Sequence, residues 1–301
     1  MNIYDYSIQD ADGNDIPLKN YKGKVLLIVN TATACGFTPH YKELEQMYEK
    51  YHDNGLEIID VPCNQFGKQA PGTDAEIREF CTLNYNTKFR QMKKSDVNGA
   101  KALPLFTFLK KQKEMEKWAL NCDIDEVSDT PVIQGYKDLL QSVGRSVKKN
   151  PPTVLALIRN IRHRGSIPHI NSIIDIYNVE SLHSLLAIGG HDLDKIAGQI
   201  EFTVSQKEDV FLPILSTEKH VSQTDYVYRD QKGILAWLDV RDGENYKFDD
   251  ETKNAIFIIQ GNAHTSVEMR LEALKRIEND LAECMPNLEF ETYVICSEKK
   301  T

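Results

Sequence analysis

Long apolar runs are missing from this 301-residue sequence. No hydrophobic stretch approaches the roughly eighteen residues that a membrane-spanning helix needs. The opening residues, MNIYDYSIQD, have neither the basic start nor the apolar middle of a signal peptide. We therefore expect a cytoplasmic protein that does not bind membranes, whose thiols stay reduced unless they carry out redox chemistry.

Paired cysteines are missing as well. The chain has six cysteines and no CxxC pair; they lie at positions 35, 63, 81, 122, 284 and 296. That spacing is typical neither of a zinc site nor of a compact disulfide framework, so any functional cysteine must act as a thiol. Metal-ligand spacing is also absent among His163, His169, His183 and His191. We predict no metal site and no bound cofactor.

An excess of positive charge is absent too. The net charge is −9, which argues against non-specific binding of nucleic acid or membranes by the molecule as a whole. No internal repeat or low-complexity tract occurs. Hydrophobic residues make up 41% and charged residues 27%, which is ordinary for globular proteins with real cores. The length predicts two domains rather than one.

Strands and helices alternate in residues 1–113, which predicts an α/β domain with a parallel sheet. KVLLIVN is typical of a central strand buried on both faces. Thr38 is a suitable N-cap with Pro39 at the first helical position, and Thr73 and Glu76 form a capping box for the next helix. The strands are expected at 24–30, 56–61 and about 89–97, and the helices after Thr38, after Thr73 and near 103–113.

The periodic pattern is lost over residues 114–130, which are mostly acidic, so we place the junction between two domains there. The domains are then 1–113 and 131–297. In the second domain, helices come first and most strands follow, an order typical of an α+β fold. The helices are expected at 131–143, 152–164, 171–187 and 266–284, and the strands at 199–205, 226–230, 233–240, 255–261 and 288–295.

One cysteine lies where a predicted strand meets a predicted helix, in NTATACGFTPH. Cys35 would there face unpaired backbone N–H groups and the positive end of the helix dipole. Both favour the thiolate, which is the reactive form of cysteine. From the residues alone, Cys35 is either a core residue at the end of a strand or a reactive thiol.

Three motifs in order carry a family resemblance. VLLIVNTATACGFTPHY, VPCNQFGKQAPG and EFCTLNY followed by DVNG together resemble the glutathione peroxidase family over residues 1–112. The resemblance implies a thioredoxin-like fold and a peroxidase whose attacking residue is Cys35, which becomes a sulfenic acid. It also implies that Gln69 is the active-site glutamine, whose amide hydrogen-bonds the thiolate and the peroxide. Cys63 matches a position often occupied in the family, and we interpret it as structural.

A second cysteine, Cys81, lies on the helix that Thr73 opens. Helical periodicity places it with Ile77 and Phe80 on one apolar face, which indicates a buried core cysteine. The family resemblance implies a resolving cysteine instead, as in members that rely on thioredoxin and use glutathione poorly. Disulfide formation with Cys35 then requires part of the helix to unwind. We expect a hydroperoxide substrate and a thioredoxin-like reductant, with glutathione as the other candidate co-substrate.

The sequence departs from the family near the predicted junction. The family continues into a strand bearing KWNF and then into a last strand and helix. Here Lys117 and Trp118 match that motif, but Ala119 stands where asparagine is expected, and nothing downstream supplies the missing elements. The expected fold is therefore a C-terminally shortened thioredoxin-like domain. Trp118 is either a catalytic residue or part of a core at the junction.

The second domain carries its own resemblance, over residues 131–296, to the editing domain of the phenylalanyl-tRNA synthetase beta chain and its free-standing relatives. The matching positions are Asn171, Asp175, Asn178, Leu182, Asp192, Leu193, Asp194, Lys195 and Gly198, with DETKNAIFI downstream. The resemblance implies an α+β editing-type fold and tRNA as a partner. It further implies substrate binding by Asn171, Asn178, Asp192 and Asp194. The same polar residues are also suited to capping helices and holding turns.

Two departures affect the substrate. Gly189 stands where the synthetase pattern has a histidine, and Ile258 lies near the place of a glutamate. Both polar residues serve the synthetase's pocket, so we do not expect tyrosine-specific editing.

A group of basic residues in the second domain is suited to binding phosphates or to forming a solvated helix face. It consists of Lys148, Lys149, Arg159, Arg162, His163 and Arg164.

The sequence leaves three functions open. The favoured one is a thiol peroxidase with an appended tRNA-editing-like domain. The alternative is an aminoacyl-tRNA deacylase or RNA-binding module in which the peroxidase half is incomplete and inactive. The third is a remnant in which one half only supports folding. Since both domains lose material at the same junction, the sequence suggests the fusion of two neighbouring reading frames.

Overall fold

Two compact units make up the chain. The computed structural model describes residues 3–223, 225–238, 241–249, 251–285 and 287–295. The first unit extends to Lys113 and includes Ile170–Ser172 and Asp280–Leu288, and the second contains the other described residues.

Short strands and two helices build most of the first unit. Its strands are β1 (Ser7–Gln9), β2 (Asp15–Pro17), β3 (Val25–Thr31) and β4 (Leu56–Pro62), and its first helices are α1 (Tyr41–Tyr51) and α2 (Asp74–Tyr85). β1 and β2 form an antiparallel pair. β3 and β4 pair in parallel, with Val25 opposite Leu56 and Thr31 opposite Pro62. The predicted strand at 56–61 and the parallel sheet are confirmed.

The two strands of the parallel pair differ in burial. Most of β4 is buried, and Ile59 and Val61 are both 0% exposed. β3 is only half-buried, and Val25 at its start is 68% exposed. The prediction of a strand buried on both faces is therefore wrong for β3. Within the described residues β4 is the one strand that pairs with it, so its other edge has no neighbour to complete the sheet.

The capping box predicted for α2 is confirmed. Thr73 Oγ1 accepts a hydrogen bond from Glu76 N at 3.3 Å, and Glu76 Oε2 accepts one from Thr73 N at 2.7 Å. The predicted start of α1 is wrong. Thr38–His40 form a 3₁₀ turn, and α1 begins at Tyr41 without a side-chain cap. The Thr38 hydroxyl is engaged with the preceding loop, so it does not cap the helix.

The strand predicted at 89–97 does not form. Two isolated bridges mark the segment, Gln91 to Asp60 and Met92 to Asp10. Its successive N–H groups bond to acceptors on several segments rather than to one partner strand. The pairs are Met92 N to Asp60 O, Lys93 N to Gln9 O, Lys94 N to Asp74 Oδ1 and Ser95 N to Pro62 O. These hydrogen bonds satisfy the backbone N–H groups of the segment, but they do not form the regular ladder of a β-strand.

Helix α3 (Pro104–Asn121) extends across the boundary between the two units at Lys113. The prediction that this helix ends near 113 is wrong. The second part of α3 lacks a clean apolar period because a charged residue, Glu116, occupies a buried position and is only 8% exposed. The Glu116 carboxylate accepts a hydrogen bond from Ile167 N at 3.1 Å. Ala119, on the following turn, is fully buried. A charged residue at a core position thus conceals the helical pattern.

Helices precede most strands in the remainder of the chain, as predicted. The helices are α4 (Ile124–Ser128), α5 (Pro131–Ser142), α6 (Thr153–Arg164), α7 (Ser172–Ser184) and α8 (Val267–Cys284). The strands are β5 (Ile188–Asp192), β6 (Glu201–Val204), β7 (Val210–Phe211), β8 (Lys219–His220), β9 (Tyr226–Arg229), β10 (Ile234–Trp237), β11 (Arg241–Asp242) and β12 (Ala255–Ile259). They pair in the orders β11–β10–β9–β6, β12–β5 and β7–β8.

Four of the five strands predicted for the second domain are confirmed, as β6, β9, β10 and β12. The fifth, predicted at 288–295, is wrong. Those residues are described without strand structure, and Tyr293 and Ile295 are 76% and 91% exposed. An alternating apolar pattern forms a strand only where a neighbouring strand pairs with it, and none of the described strands does so here.

A helical core cluster lies in the second unit. Its buried members are Ala119, Val127, Ile133, Val154, Leu155, Ile158, Ile161, Ile167, Val179 and Leu182. The second part of α3 therefore belongs to this core. A smaller cluster lies among the strands and contains Phe211, Val221, Val227 and Ile234.

Candidate active site

The structure places Cys35 in the loop between β3 and α1. β3 ends at Thr31, and Thr38 opens the 3₁₀ turn before α1. The sulfur of Cys35 accepts a hydrogen bond from Phe37 N at 3.5 Å. A backbone N–H directed at the sulfur stabilises negative charge there. Both interpretations of Cys35, the core residue and the reactive thiol, stay predictions.

Thr38 holds the cysteine loop through its hydroxyl. Oγ1 accepts a hydrogen bond from Cys35 N at 2.9 Å and donates one to Ala32 O at 3.0 Å. Thr38 is 7% exposed, so its hydroxyl makes both bonds largely shielded from water. Thr38 is therefore the residue that fixes this loop, in place of the helix cap that we predicted.

The loop after β4 brings Gln69 beside the cysteine loop. Gly67 and Lys68 have φ values of 61° and 56°, a left-handed turn that reverses the chain. The carbonyl of Gln69 accepts a hydrogen bond from Ala34 N at 2.8 Å, one residue before Cys35. Among the described residues, no hydrogen bond joins the Gln69 amide to the Cys35 sulfur. The catalytic role of Gln69 stays a prediction, which this placement permits.

Cys81 lies in the core of the first unit, on α2. It is 3% exposed and belongs to an apolar cluster with Tyr41, Ile77 and Phe89. Burial raises the pKa of its thiol to about 11; a hydrogen bond with Tyr41 lowers the pKa and the carboxylate of Asp60 raises it further. Neither Cys35 nor Cys81 is in a disulfide. Cys81 is thus a neutral buried thiol, as helical periodicity indicates.

Sequence analysis missed a buried acid next to Cys81. Asp60, in the middle of β4, is 1% exposed. Its Oδ1 accepts a hydrogen bond from Thr31 Oγ1 at 2.5 Å, and its Oδ2 accepts one from the Tyr41 hydroxyl at 3.2 Å. Burial raises the pKa of Asp60 to about 7, although both donors lower it. The signal in the sequence was an acid between Ile59 and Val61 in the strand LEIIDV.

Cys63 and Trp118 occupy structural positions. Cys63 is 1% exposed, and its thiol donates to Gln65 Oε1 at 3.5 Å. Trp118 packs against the helical core cluster of the second unit, next to the buried Ala119. Of the two interpretations of Trp118, the structure supports the core residue.

The four residues predicted to bind substrate in the second domain lie at the end of β5 and at α7. Asp192 ends β5, is 3% exposed and accepts a hydrogen bond from Asp194 N at 3.0 Å. Asp194 accepts two from Asn254 Nδ2, at 2.9 and 3.1 Å. Asn171 precedes α7, and Asn178 lies on it. The two aspartates hold the turn after β5, and substrate binding by these four residues stays a prediction.

A cavity of about 120 Å³ lies beside β5 and β12 in the second unit. It is lined by Gly189 and Ile258, which are direct partners in the β5–β12 register. These are the two positions at which the sequence departs from the synthetase pattern. His191 and Asp242 also line the cavity, with Nε2 and Oδ1 3.9 Å apart. Burial lowers the pKa of His191 and raises that of Asp242, so the imidazole is neutral at pH near 7.

Arg162 has a structural contact, although we grouped it with the basic residues. Its guanidinium donates to Ala119 O at 2.9 Å and to Cys122 O, one residue after the end of α3. His163 and Arg164, in the last turn of α6, are exposed. Phosphate or RNA binding by the remaining basic residues stays a prediction.

Neither a membrane helix nor a metal cluster is found in the described ranges. No helix there is long and apolar enough to cross a membrane. No group of three His, Cys, Asp or Glu side chains there is arranged to hold a metal ion. The cytoplasmic location stays a prediction.

Comparison with known proteins matches two parts of the chain. The profile of the glutathione peroxidase family matches residues 3–110, and that of the B3/4 domain family matches residues 135–287. A glutathione peroxidase homolog of Neisseria meningitidis is 50% identical over 117 residues, which are 39% of this chain and 66% of the relative. The glutathione peroxidase-like peroxiredoxin 2 of Saccharomyces cerevisiae is 54% identical over 111 residues, 37% and 68% of the two chains. The chain thus spans 66% and 68% of the length of these relatives.

Two solved structures are similar to parts of the chain. T. cruzi GPX1 is 35% identical, with 37% of this chain and 67% of that chain covered and a TM-score of 0.31. An N-terminal fragment of the phenylalanyl-tRNA synthetase beta subunit from Pyrococcus horikoshii is 20% identical, with 38% and 41% covered and a TM-score of 0.33.

Proposed function

The chain belongs to the glutathione peroxidase family through residues 3–110 and to the B3/4 domain family through residues 135–287, and on this basis we propose that its first unit is a thiol-dependent peroxidase. Its substrates are hydrogen peroxide or organic hydroperoxides. The expected fold class is confirmed, since a thioredoxin-like domain whose family match ends at residue 110 is followed by an editing-type domain. The observation that carries the proposal is the Phe37 N–H on the sulfur of Cys35.

The first step takes place at Cys35. Its thiolate attacks one oxygen of the hydroperoxide, the O–O bond breaks, and the leaving alkoxide or hydroxide takes up a proton. The sulfur is oxidised to a sulfenic acid while the peroxide is reduced to an alcohol or water. Gln69 is proposed to hydrogen-bond the peroxide, because its backbone adjoins the cysteine loop and an amide donates without titrating.

Cys81 is proposed to resolve the sulfenic acid. Its sulfur attacks that of Cys35, the S–S bond forms, the S–O bond breaks, and water leaves. Because Cys81 is 3% exposed, it must leave the core before the two sulfurs can reach disulfide geometry. An intramolecular disulfide suits a thioredoxin-type dithiol reductant better than glutathione, which is the alternative reductant.

Peroxide consumption by the full-length protein tests this function. The assay uses thioredoxin with its reductase and, separately, glutathione with its reductase. Cys35→Ser is expected to lose turnover, because a hydroxyl is a far weaker nucleophile than a thiolate at neutral pH. Cys122→Ser, at a half-exposed cysteine of the second unit, is the control and is expected to keep it. Turnover by Cys35→Ser would exclude the assignment, and faster turnover with glutathione would exclude the preference for thioredoxin.

A second function is proposed for the second unit, because it matches the B3/4 domain family and holds a cavity beside β5 and β12. In this alternative, the chain is an aminoacyl-tRNA deacylase or RNA-binding module whose peroxidase half is incomplete and inactive. At the two positions where the synthetase pattern has a histidine and a glutamate, Gly189 and Ile258 offer no side-chain polar group to a tyrosine hydroxyl. We therefore expect ester hydrolysis to be slow and not selective for tyrosine.

Mischarged tRNAs offered to the full-length protein test this alternative. Ester loss is followed against the spontaneous rate, and tRNA binding is measured in parallel. Rapid, selective removal of tyrosine from the phenylalanine tRNA would contradict the expected selectivity. Absence of both hydrolysis and tRNA binding would exclude the function.

A further inference from the structure

An acid without a countercharge lies in the core of the first unit. Asp60 is 1% exposed, and no Lys, Arg or His forms an ion pair with it among the described residues. Its recorded side-chain donors are two hydroxyls, those of Thr31 at 2.5 Å and Tyr41 at 3.2 Å. A buried carboxylate held by two neutral donors is poorly compensated for the water that it has lost.

The donors of Asp60 connect it to both cysteines of the proposed reaction. Thr31 ends the strand that leads into the Cys35 loop. Tyr41 belongs to the same buried cluster as Cys81. The acid therefore lies among the elements that must separate when Cys81 leaves the core.

We infer that the ionised carboxylate of Asp60 loosens the packing around α2 and so controls how readily Cys81 leaves the core. The inference rests on the proposed peroxidase function, in which Cys81 must leave. When α2 opens, water reaches the carboxylate, so the charge gains solvation that it lacks in the closed structure. A neutral group at the same position gains much less. Charge on Asp60 therefore favours opening.

Titration gives this effect a direction and a limit. Burial raises the pKa of Asp60 from 3.8 to about 7 in the closed structure, whereas in the open state, exposed to water, the ordinary value returns. Opening therefore releases a proton, becomes more favourable as the pH rises from about 4 to about 7, and gains nothing more above that. The difference of about three pKa units limits the effect to roughly 1000-fold in the opening equilibrium.

The groups around Asp60 do not obscure this dependence. Tyr41 faces it from α1 and Cys81 from α2, and burial raises the pKa of both, so both are neutral below pH 7. β3 contributes Thr31, and the segment after α2 contributes Gln91, which is bridged to Asp60 through the backbone. Neither of these side chains titrates.

The test compares Asp60 with Asp60→Asn, which keeps the shape and removes the charge, in a full-length Cys35→Ser background. No sulfenic acid forms at position 35 in that background, so labelling of Cys81 reports opening alone. A thiol-reactive pyridyl disulfide labels the protein from about pH 4 to about pH 8, and peptide mass spectrometry follows Cys81. Both proteins present the same thiol to the same reagent, so the intrinsic pH dependence of the thiol reaction is the same in both. The ratio of their labelling rates therefore reports the difference in opening.

Asp60→Asn is expected to label Cys81 at least about tenfold more slowly at neutral pH, and the two rates are expected to converge towards pH 4. Equal rates at every pH would overturn the inference. A ratio that does not change with pH would overturn it too, because a purely structural effect of the substitution gives that result.

Two further measurements keep the inference testable if the asparagine variant does not fold. In the parent protein, amide protection of α2 is expected to fall as the pH rises to about 7, after correction for intrinsic exchange; constant protection would overturn the inference. Tyr41→Phe removes a hydroxyl that lies 2.7 Å from Thr31 Oγ1 and 3.2 Å from Asp60 Oδ2. It is expected to speed labelling of Cys81 more above pH 7 than at pH 4, and an equal change at both pH values would overturn the inference. Failure of the peroxidase assay would remove the proposed function, whereas the labelling ratio still decides the effect of Asp60.

Discussion

The hydroxyl of Thr38 offers a direct test of how the cysteine loop is held. Thr38→Val keeps the shape of the side chain and leaves Cys35 N and Ala32 O without the partner they have now. A buried polar group that loses its partner costs about 1–3 kcal/mol. Because Cys35 is half-exposed, water can satisfy part of the loss. We therefore expect the substitution to destabilise the first unit by about 1–3 kcal/mol in total.

Thr38→Val is also expected to slow the attack of Cys35 on peroxide. A loosened loop no longer holds Phe37 N on the sulfur, where it now lies 3.5 Å away. A hydrogen bond to a charged atom contributes about 1.5–3 kcal/mol. Its loss corresponds to a decrease of about ten- to a hundred-fold in the rate constant for peroxide attack.

The rate constant is measured for a single oxidation of Cys35, by competition with a peroxidase of known rate. Thr38→Ser is the matched control, since it keeps the hydroxyl and loses a methyl group, at about 1 kcal/mol of stability. Both tryptophans, Trp118 and Trp237, lie in the second unit, so the stability of the first unit is measured by amide exchange in α1. A wild-type rate in Thr38→Val, or equal losses in the valine and serine variants, would refute the argument.

Two other predictions concern Cys81 and the second unit. Cys81→Ser is expected to allow one stoichiometric oxidation of Cys35 and to abolish thioredoxin-dependent turnover. Peptide mapping of the oxidised wild-type protein should find a Cys35–Cys81 disulfide. Absence of that disulfide would count against resolution by Cys81. Arg276 donates to both oxygens of Glu180, which is fully buried, so Arg276→Met is expected to destabilise the second unit. We expect about 2–4 kcal/mol, since Arg276 is 34% exposed, and tryptophan fluorescence in urea measures it. Lys275→Met, beside it at an exposed pair with Glu278, is the control, and a comparable loss there would contradict the role of burial.

Patterns with local causes could be predicted from the sequence. The capping box of α2 depends on Thr73 and Glu76, three residues apart, and both of its hydrogen bonds are present. The position of Cys35 after a strand depends only on where an apolar run ends. Thr38 shows the limit of local reasoning, because a threonine hydroxyl can cap a helix or bridge a loop, and its neighbours do not decide between them.

The features that could not be predicted have non-local causes. Burial of β3 depends on which strands lie beside it, and its own residues do not specify that. Glu116 is a core residue because it binds Ile167 N, 51 positions away. The partners of Asp60, Thr31 and Tyr41, lie 29 and 19 positions before it. An acid in an apolar strand can be recognised from the sequence, but its partners and the cysteine beside it require the fold.

The junction between the two family matches bears on the stability of the first unit. The match to the peroxidase family ends at residue 110 and that to the B3/4 family begins at 135. Helix α3 provides continuous backbone hydrogen bonding from Pro104 to Asn121, over nearly the first half of that interval. The second unit gains a buried Ala119 from this helix, whereas β3 in the first unit has one described strand beside it. A half-buried strand with an open edge contributes less to stability than a central one, and the uncompensated charge of Asp60 reduces stability further at neutral pH. The first unit should therefore open at a lower denaturant concentration than the second. Under the proposed function, in which Cys81 must leave the core, that low local stability would favour turnover.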